Sequence, residues 1–298
     1  MQQISNCLVC GSTKIEPFLV CKDYTVSHQD FQIQRCVECN FKFTSPRPED
    51  ADLGKYYKAE DYISHSDTKK GLVNKLYHGV RSYTLIKKLQ LVIQHTKSKS
   101  GKILDYGAGT GAFLNTCKTN KWDALGIEPD ETARQVMADK FGITTFSSWK
   151  EAQENPSFSN FDCITAWHVL EHVPDLKETI NALKASLKDK GIFIVAVPNP
   201  ESNDAKHYKQ FWAAYDLPRH LWHFEPKNMT KLFTENGFKL EKTLPMVFDS
   251  FYVSMLSEKY KTGSTGLVKA FMSGLISNIN ANKTGKEFSS QIYVFRKV

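Results

Sequence analysis

The stretch 103–111 constrains this chain most. An apolar run, Ile103 and Leu104, ends in Asp105. Gly107, Gly109 and Gly111 then alternate with Ala108 and Thr110 before Ala112, Phe113 and Leu114 begin a helical pattern. The order reads as a strand, a tight turn and a helix start. Glycines let backbone approach a ligand where a Cβ would collide, and a helix start leaves N–H groups without partners. Such a turn suits a nucleotide-like cofactor; the alternative is a purely structural strand-to-helix turn. The pattern continues on either side. Strands are expected near 103–106, 124–128, 143–145, 161–166 and 191–197, and helices near 111–119, 130–140 and 175–187, with Asp130 and Asp175 as N-caps. Alternation of this kind gives an α/β fold: a parallel sheet with helices on both faces.

Glycine spacing narrows the cofactor. A dinucleotide fingerprint places its third glycine three residues after the second; here the interval is two. An acid, Glu128, closes the next strand about twenty residues downstream, where a ribose-binding carboxylate belongs. The pair of features resembles the class I S-adenosylmethionine-dependent methyltransferases. The resemblance implies a Rossmann-like, seven-stranded sheet ending in an antiparallel hairpin. It implies that Asp105, Gly107, Ala108, Gly109 and Gly111 shape the pocket for S-adenosylmethionine, that Glu128, followed by Pro129, holds the ribose, and that Ser147 or Ser148 lies near the adenine. The run from Phe161 to Pro174 resembles the fourth-strand motif of the same family, which places Trp167 and His168 beside the cofactor. His168 is a candidate for contacting the acceptor or assisting proton transfer, set against a purely shaping role. The same run contains His168, Glu171 and His172 in the inverted zinc-peptidase spacing. That chemistry needs both histidines on one helix, whereas here the motif begins at a strand end and Pro174 follows at once.

Seven cysteines include Cys7 with Cys10 and Cys36 with Cys39, two CxxC pairs with 25 residues between them. Thiolates at i and i+3 of a tight turn converge on one ion, and two such turns complete a tetrahedral zinc site. Gly11 and Asn40 follow each second cysteine, where positive φ is often required. Four thiolates leave no open position, so the zinc is expected to be structural, in a segment too small to hold itself together by core burial. Cys21, Cys117 and Cys163 read as isolated buried thiols.

Three regions follow: a zinc-ribbon-like module over 1–48, a linker with an aromatic and helical segment over 49–100, and the cofactor-binding domain over 101–298. The second holds Tyr56, Tyr57 and Tyr62 and a basic amphipathic helix near 72–94. After Pro198 comes a loop to Leu221 rich in Trp, Tyr, His and Pro, then a helix near 226–236 and strands near 238–244 and 291–297. Two helical patterns over 247–288 form an insertion that splits the final hairpin; it reads as a cap or a homodimer surface, with Phe248, Phe251, Tyr252 and Met255 as core. His220 and His223, on the loop after the fifth strand, are the main candidates for a base, since a histidine near its ordinary pKa suits proton removal. Arg219 is a candidate for holding an acceptor carboxylate or phosphate. The alternative is a packed aromatic loop whose histidines satisfy backbone groups.

The whole plan also resembles the deoxysugar C-methyltransferases, which implies that Tyr57, Tyr62 and His220 line the acceptor site, although the large C-terminal domain of those enzymes has no counterpart here. The fourth-strand motif resembles the ubiquinone-type O-methyltransferases as well. A small-molecule acceptor is therefore expected, methylated at carbon or oxygen. An RNA acceptor is the competing reading, since the net charge is +7 and lysines cluster between Lys69 and Lys102. A methyltransferase-like binding protein without turnover is a third. The longest apolar runs fall far short of a membrane span, and Met1 and the residues after it carry no signal pattern, so the cytosol is the expected compartment.

Overall fold

The computed structural model describes residues 1–57, 72–284 and 287–298; Tyr62 and Lys69 lie outside them. The strands are β1 (Ile15–Lys22), β2 (Asp30–Cys36), β3 (Lys42–Thr44), β4 (Gly101–Tyr106), β5 (Trp122–Ile127), β6 (Thr144–Phe146), β7 (Phe161–Trp167), β8 (Leu187–Pro198), β9 (Trp222–His223), β10 (Phe238–Pro245) and β11 (Ser290–Lys297). The helices are α1 (Asp50–Leu53), α2 (Leu72–Thr96), α3 (Ala112–Thr119), α4 (Glu131–Phe141), α5 (Trp149–Gln153), α6 (Leu176–Ser186), α7 (Asn203–Tyr208), α8 (Pro226–Glu235), α9 (Asp249–Thr262) and α10 (Leu267–Thr284).

Seven strands form the main sheet in the order β10-β11-β8-β7-β4-β5-β6. The pairs from β8 to β6 are parallel, and β11 runs antiparallel to both of its neighbours. Side chains alternate across it as strand geometry requires. Ile103, Cys163, Ile192 and Ile194 pack with Leu89 and Val92 of α2, Phe113 and Leu114 of α3, and Met137 of α4. Their neighbours Leu104, Ile164, Phe193 and Val195 pack the other way, on Ala152 of α5, Ile180 and Leu183 of α6, and Leu232 and Phe233 of α8. After β4 the chain builds outward through β5 and β6, then returns to β7 on the other side of β4. That reversal leaves a crevice at the carboxyl ends of β4 and β7, where ligands of open α/β sheets bind.

Helix boundaries follow their caps. Asp130 accepts the Ala133 N–H at 2.7 Å and starts α4, which ends at Gly142 in a left-handed conformation. Asp175 precedes α6 but its side chain makes no capping bond, a correction to its expected role. Elements of a few residues escape the sequence reading: α7 lies within the loop expected over 199–221, and α5 and β9 lie where no element was expected.

The small sheet holds the chief surprise in connectivity. Its order is β1-β2-β3-β9, and β9 comes from the loop after β8. Phe41 and Phe43 pack with Trp222 and Phe224, Arg47 lies 5.3 Å from the Trp222 ring centroid, and Lys42 forms a buried ion pair with Glu225. Cys7, Val9 and Cys36 share one apolar cluster with Leu221 and the α6 face of the main sheet. The N-terminal segment and that loop therefore form one packed body.

Candidate active site

Asp105 sits at the end of β4 with 3% of its surface exposed. Burial raises its carboxyl to about 7, against the pull of the Thr165 hydroxyl, which donates to it at 2.6 Å, and of the Lys88 charge. Gly107, Gly109 and Gly111 follow with φ of 77°, 54° and 78°. The three are glycine for different reasons. A Cβ on Gly107 would approach Val169 Cγ2 to 2.4 Å, and one on Gly111 would approach Met137 Cγ to 2.4 Å. A Cβ on Gly109 would meet none of the described residues within 4 Å, so its open side is free for a ligand laid against the turn. Ala108 and Gly107 tie the turn to β5, both N–H groups donating to the Ile127 carbonyl.

Glu128 is fixed at the end of β5 with its carboxylate already oriented. One oxygen accepts the Gly109 N–H at 2.8 Å and the other the Asp130 N–H at 3.0 Å. Pro129 begins the turn into α4, its carbonyl held by Arg134. The Glu128 N–H pairs with the Phe146 carbonyl, which brings Ser147 alongside. Ser147 donates through backbone and hydroxyl to Glu151, and Ser148 caps α5. Both serines thus organise the rim, and the Ser147 hydroxyl is engaged by Glu151.

Across the crevice, α2 brings Lys88 to 4.2 Å from the Trp167 ring centroid. Burial lowers the Lys88 ammonium pKa, while Asp105 and Asp249 favour the charge. The Trp167 indole N–H is buried and, among the described residues, unbonded. An ammonium and a free indole N–H beside a buried carboxylate match the charged amino-acid end of S-adenosylmethionine. Lys88 was invisible in the sequence as anything but one cation on a basic helix.

The end of β7 also carries the second half of the site. His168, at φ 58°, points Nε2 at Asp249 (2.9 Å) and Nδ1 at Glu171 (3.4 Å). Burial would depress its pKa, but these two carboxylates raise it to about 10. A histidine held as imidazolium has no lone pair to accept a proton at neutral pH, which leaves contact with the acceptor or donation of a proton as the roles open to it. Glu171 is 1% exposed, and the long His168 contact is the sole polar side-chain partner that its carboxylate has among the described residues. Next to it, His172 Nδ1 lies 2.9 Å from the Tyr57 hydroxyl and 3.1 Å from the Arg219 carbonyl. Its ring meets that of His220 edge-on at 4.5 Å. Glu171, His172 and His220 bring their ligand atoms within 4.8 Å of one another, close enough to address one acceptor hydroxyl, one water or one divalent cation.

The loop histidines divide. His220 Nδ1 lies 2.9 Å from the Ala214 carbonyl, so that nitrogen carries the proton and Nε2 keeps its lone pair. Burial, then the neighbouring His172, push its pKa well down, so the ring is neutral with a free lone pair but is a weaker base than the ordinary histidine expected there. His223 belongs to β9 and is 4% exposed. Thr44 donates its hydroxyl to the His220 carbonyl at 2.6 Å and therefore accepts from His223 Nε2 at 3.3 Å. Burial and the nearby Lys42 hold His223 neutral, down to about 3. His223 joins the small sheet to the loop, a structural place instead of the catalytic one expected. Arg219 is corrected in the same way: it is 1% exposed, and its guanidinium bonds Asp216, Thr25 and the Tyr56 carbonyl. His172, present in the motif but not singled out, takes a place in the site that sequence spacing did not reveal.

The two CxxC turns are built alike. Gly11 N–H donates to the Cys7 carbonyl and Asn40 N–H to the Cys36 carbonyl, with φ of 75° and 62° at Gly11 and Asn40. The Cys7–Cys39 and Cys10–Cys36 sulfurs lie 3.5 Å apart, and all four fall within 4.8 Å of one another. A zinc tetrathiolate with bonds near 2.3 Å has sulfur–sulfur edges of about 3.8 Å, so the donor set fits that ion. Cys21, Cys117 and Cys163 are free and buried.

The methyltransferase-domain family matches residues 77–243, more than half of the chain. The chain belongs to that family. Its strand order and glycine turn are those of the class I S-adenosylmethionine-dependent fold. The ubiquinone biosynthesis O-methyltransferase of Bradyrhizobium diazoefficiens is 24% identical over 165 residues, covering 50% of this chain and 63% of that protein. The one from Actinobacillus pleuropneumoniae serotype 5b is 32% identical over 108 residues, covering 33% of this chain and 46% of that protein. This methyltransferase thus matches less than two thirds of the length of either relative. Among solved structures, geranyl diphosphate C-methyltransferase from Streptomyces coelicolor superposes with a TM-score of 0.52 at 13% identity, over 78% of this chain and 86% of that one. Magnesium protoporphyrin IX methyltransferase from Synechocystis, solved with bound SAM, gives 0.51 at 12% identity, over 86% and 100%. At such identities these likenesses carry the fold.

Proposed function

We propose that this methyltransferase moves a methyl group from S-adenosylmethionine to an oxygen or carbon of a small-molecule acceptor held under the loop after β8. The observation that carries the reading is the double use of the β7 end. Trp167 there faces the Asp105 crevice, and Glu171 and His172, a few residues on, face His220. Cofactor and acceptor sites are thereby set by one strand. The bound cofactor supplies an electrophilic methyl group. The chain supplies alignment, which is worth much of the acceleration in a displacement of this kind, and a base. Glu128 takes the ribose hydroxyls, Gly109 yields room for the nucleoside, and Lys88 with the Trp167 indole N–H takes the methionyl carboxylate. His220 Nε2 removes the acceptor proton, while Tyr57 and Glu171 orient His172 and the acceptor. The four cysteines Cys7, Cys10, Cys36 and Cys39 hold one structural zinc, in a module over 1–48 attached through 49–100 to the catalytic domain over 101–298.

Calorimetry with S-adenosylhomocysteine, followed by turnover of labelled S-adenosylmethionine with sugar-nucleotide and phenolic acceptors, tests this. Saturable binding and label transfer to one acceptor class are expected. A chain that binds neither cofactor form, or that binds both and methylates only RNA, contradicts the proposal.

A further inference from the structure

Helix α10 is packed inside out. The side it turns to α9 and α7 is small or polar: Ala270, Ser277 and Ala281 are buried there, and a Cβ on Gly274 would come within 2.9 Å of Phe251. Its outer side is large and apolar. Val268, Phe271, Met272, Ile276 and Ile279 are 47 to 80% exposed, and at 3.6 residues per turn they fall within an arc of about 140°. The stripe continues onto neighbouring elements. Phe271 stacks on Phe251 at 5.1 Å, and exposed Phe248 meets exposed Tyr83 of α2 edge-on at 6.2 Å. A contiguous exposed apolar surface of this kind marks an interaction site. The stripe including Phe248 and Tyr252 is therefore not the core that its composition implied.

Charge selects the occupant. Neither α2 nor α10 contains an acidic residue. The two acids of α9 are engaged, Asp249 by His168 and buried Glu258 by Tyr208 and Lys269. The same three helices carry the exposed cations Lys87, Lys259, Lys261 and Lys283, with Lys87 5.4 Å from the Tyr83 ring centroid. A second copy of the chain would oppose lysines to lysines. An anionic bilayer offers hydrocarbon beneath a negative headgroup layer, which matches both the stripe and these cations. No helix among the described residues is long and apolar enough to cross a membrane, so the fit is to a surface. We propose that the α9–α10 hairpin, with the adjoining edge of α2, docks this methyltransferase on an anionic lipid surface. The hairpin begins at Asp249, which holds His168, so the docked face adjoins the acceptor side of the site.

The test uses the full chain and vesicles of phosphatidylcholine alone or with phosphatidylglycerol. Co-sedimentation with the phosphatidylglycerol vesicles is expected, weakening as salt rises. The double variant Phe271→Ser, Ile276→Ser should bind them at least tenfold more weakly, with an unchanged thermal midpoint; Val268→Ser, Ile279→Ser serves as an independent second pair. Three results overturn the proposal. One is failure to bind either vesicle, another is equal binding by wild type and both variants. The third is a dimer in analytical ultracentrifugation that the variants dissolve, which would give the stripe to a second copy. None of these readouts depends on cofactor binding or turnover.

Discussion

Two backbone N–H groups, of Gly109 and Asp130, already hold the Glu128 carboxylate in place, so in the proposed role it would meet a ribose without further ordering of that side chain. Glu128→Ala should weaken S-adenosylhomocysteine binding about tenfold or more, the scale of a lost charge-assisted hydrogen bond, and unchanged calorimetric affinity would contradict the role. Lys88 offers a sharper discrimination. If its ammonium, 4.2 Å above Trp167, takes the methionyl carboxylate, Lys88→Met should weaken S-adenosylhomocysteine and leave 5′-methylthioadenosine, which lacks that carboxylate, unaffected. An equal loss for both ligands would place Lys88 elsewhere in the site. Asp105 sets the pH dependence. Its carboxyl is raised by burial to about 7. Between its ordinary value and 7, the folded chain holds a proton that the unfolded chain has released, so this group's contribution to ligand-free stability declines as pH rises to 7. The cofactor's ammonium favours the ionised form, so affinity should fall as pH drops below 7, by up to about tenfold per unit, and stay level above 8. A flat titration from pH 6 to 8 would exclude Asp105 as that partner.

At the scale of elements, the loop after β8 gains its place beside the proposed acceptor site by what it packs against. Its backbone orients His220 through Ala214, its Arg219 carbonyl meets His172, and its β9 residues bond the small sheet. His220→Asn retains a donor toward Ala214 but has no basic nitrogen. It should lower kcat by roughly 10²–10⁴-fold, the usual weight of a general base, with little change in KM for the cofactor; near wild-type kcat would remove His220 from the reaction. Much of this was legible beforehand. Strands β4, β5, β7 and β8 are short apolar runs bounded by acids and glycines, and α3, α4 and α6 have apolar faces at helical period, so local pattern and final place agree. Where they disagree, long-range contact decides. Trp222 and His223 make a strand only because Phe43 and Lys42 lie beside them. Phe248 and Tyr252 read as core but are exposed, because periodicity shows that a face is apolar, not which way it turns. Lys88 is one of several lysines on α2 until the helix is laid across Trp167.

For the whole molecule, the four-cysteine site and the histidine site are mechanically one object. The chain from Cys36 to Cys39 leads directly into β3, β3 pairs with β9, and β9 follows His220 by one residue. Asn40 and Lys42 both bond Glu225, which is fully buried. Removing one partner of such a pair strands a charge in the interior, a loss of about 3–5 kcal/mol, so the two segments have little freedom to separate. If the four sulfurs hold a zinc as proposed, its loss should therefore reach the acceptor site. Without the ion, four thiols packed within 4.8 Å lose the bonds that join the two turns, leaving only their shared apolar contacts. Treatment with a strong chelator, or Cys36→Ser, should release about one equivalent of zinc per chain and lower the thermal midpoint. It should abolish turnover while S-adenosylhomocysteine binding survives, because the Asp105 crevice is built by β4, β5, β7 and α2. Metal analysis, a melting curve and calorimetry on the same sample separate the cases. Zinc release that leaves turnover intact would show the loop positioning His220 without the module. Loss of both cofactor binding and turnover would show that the ion supports the main sheet as well.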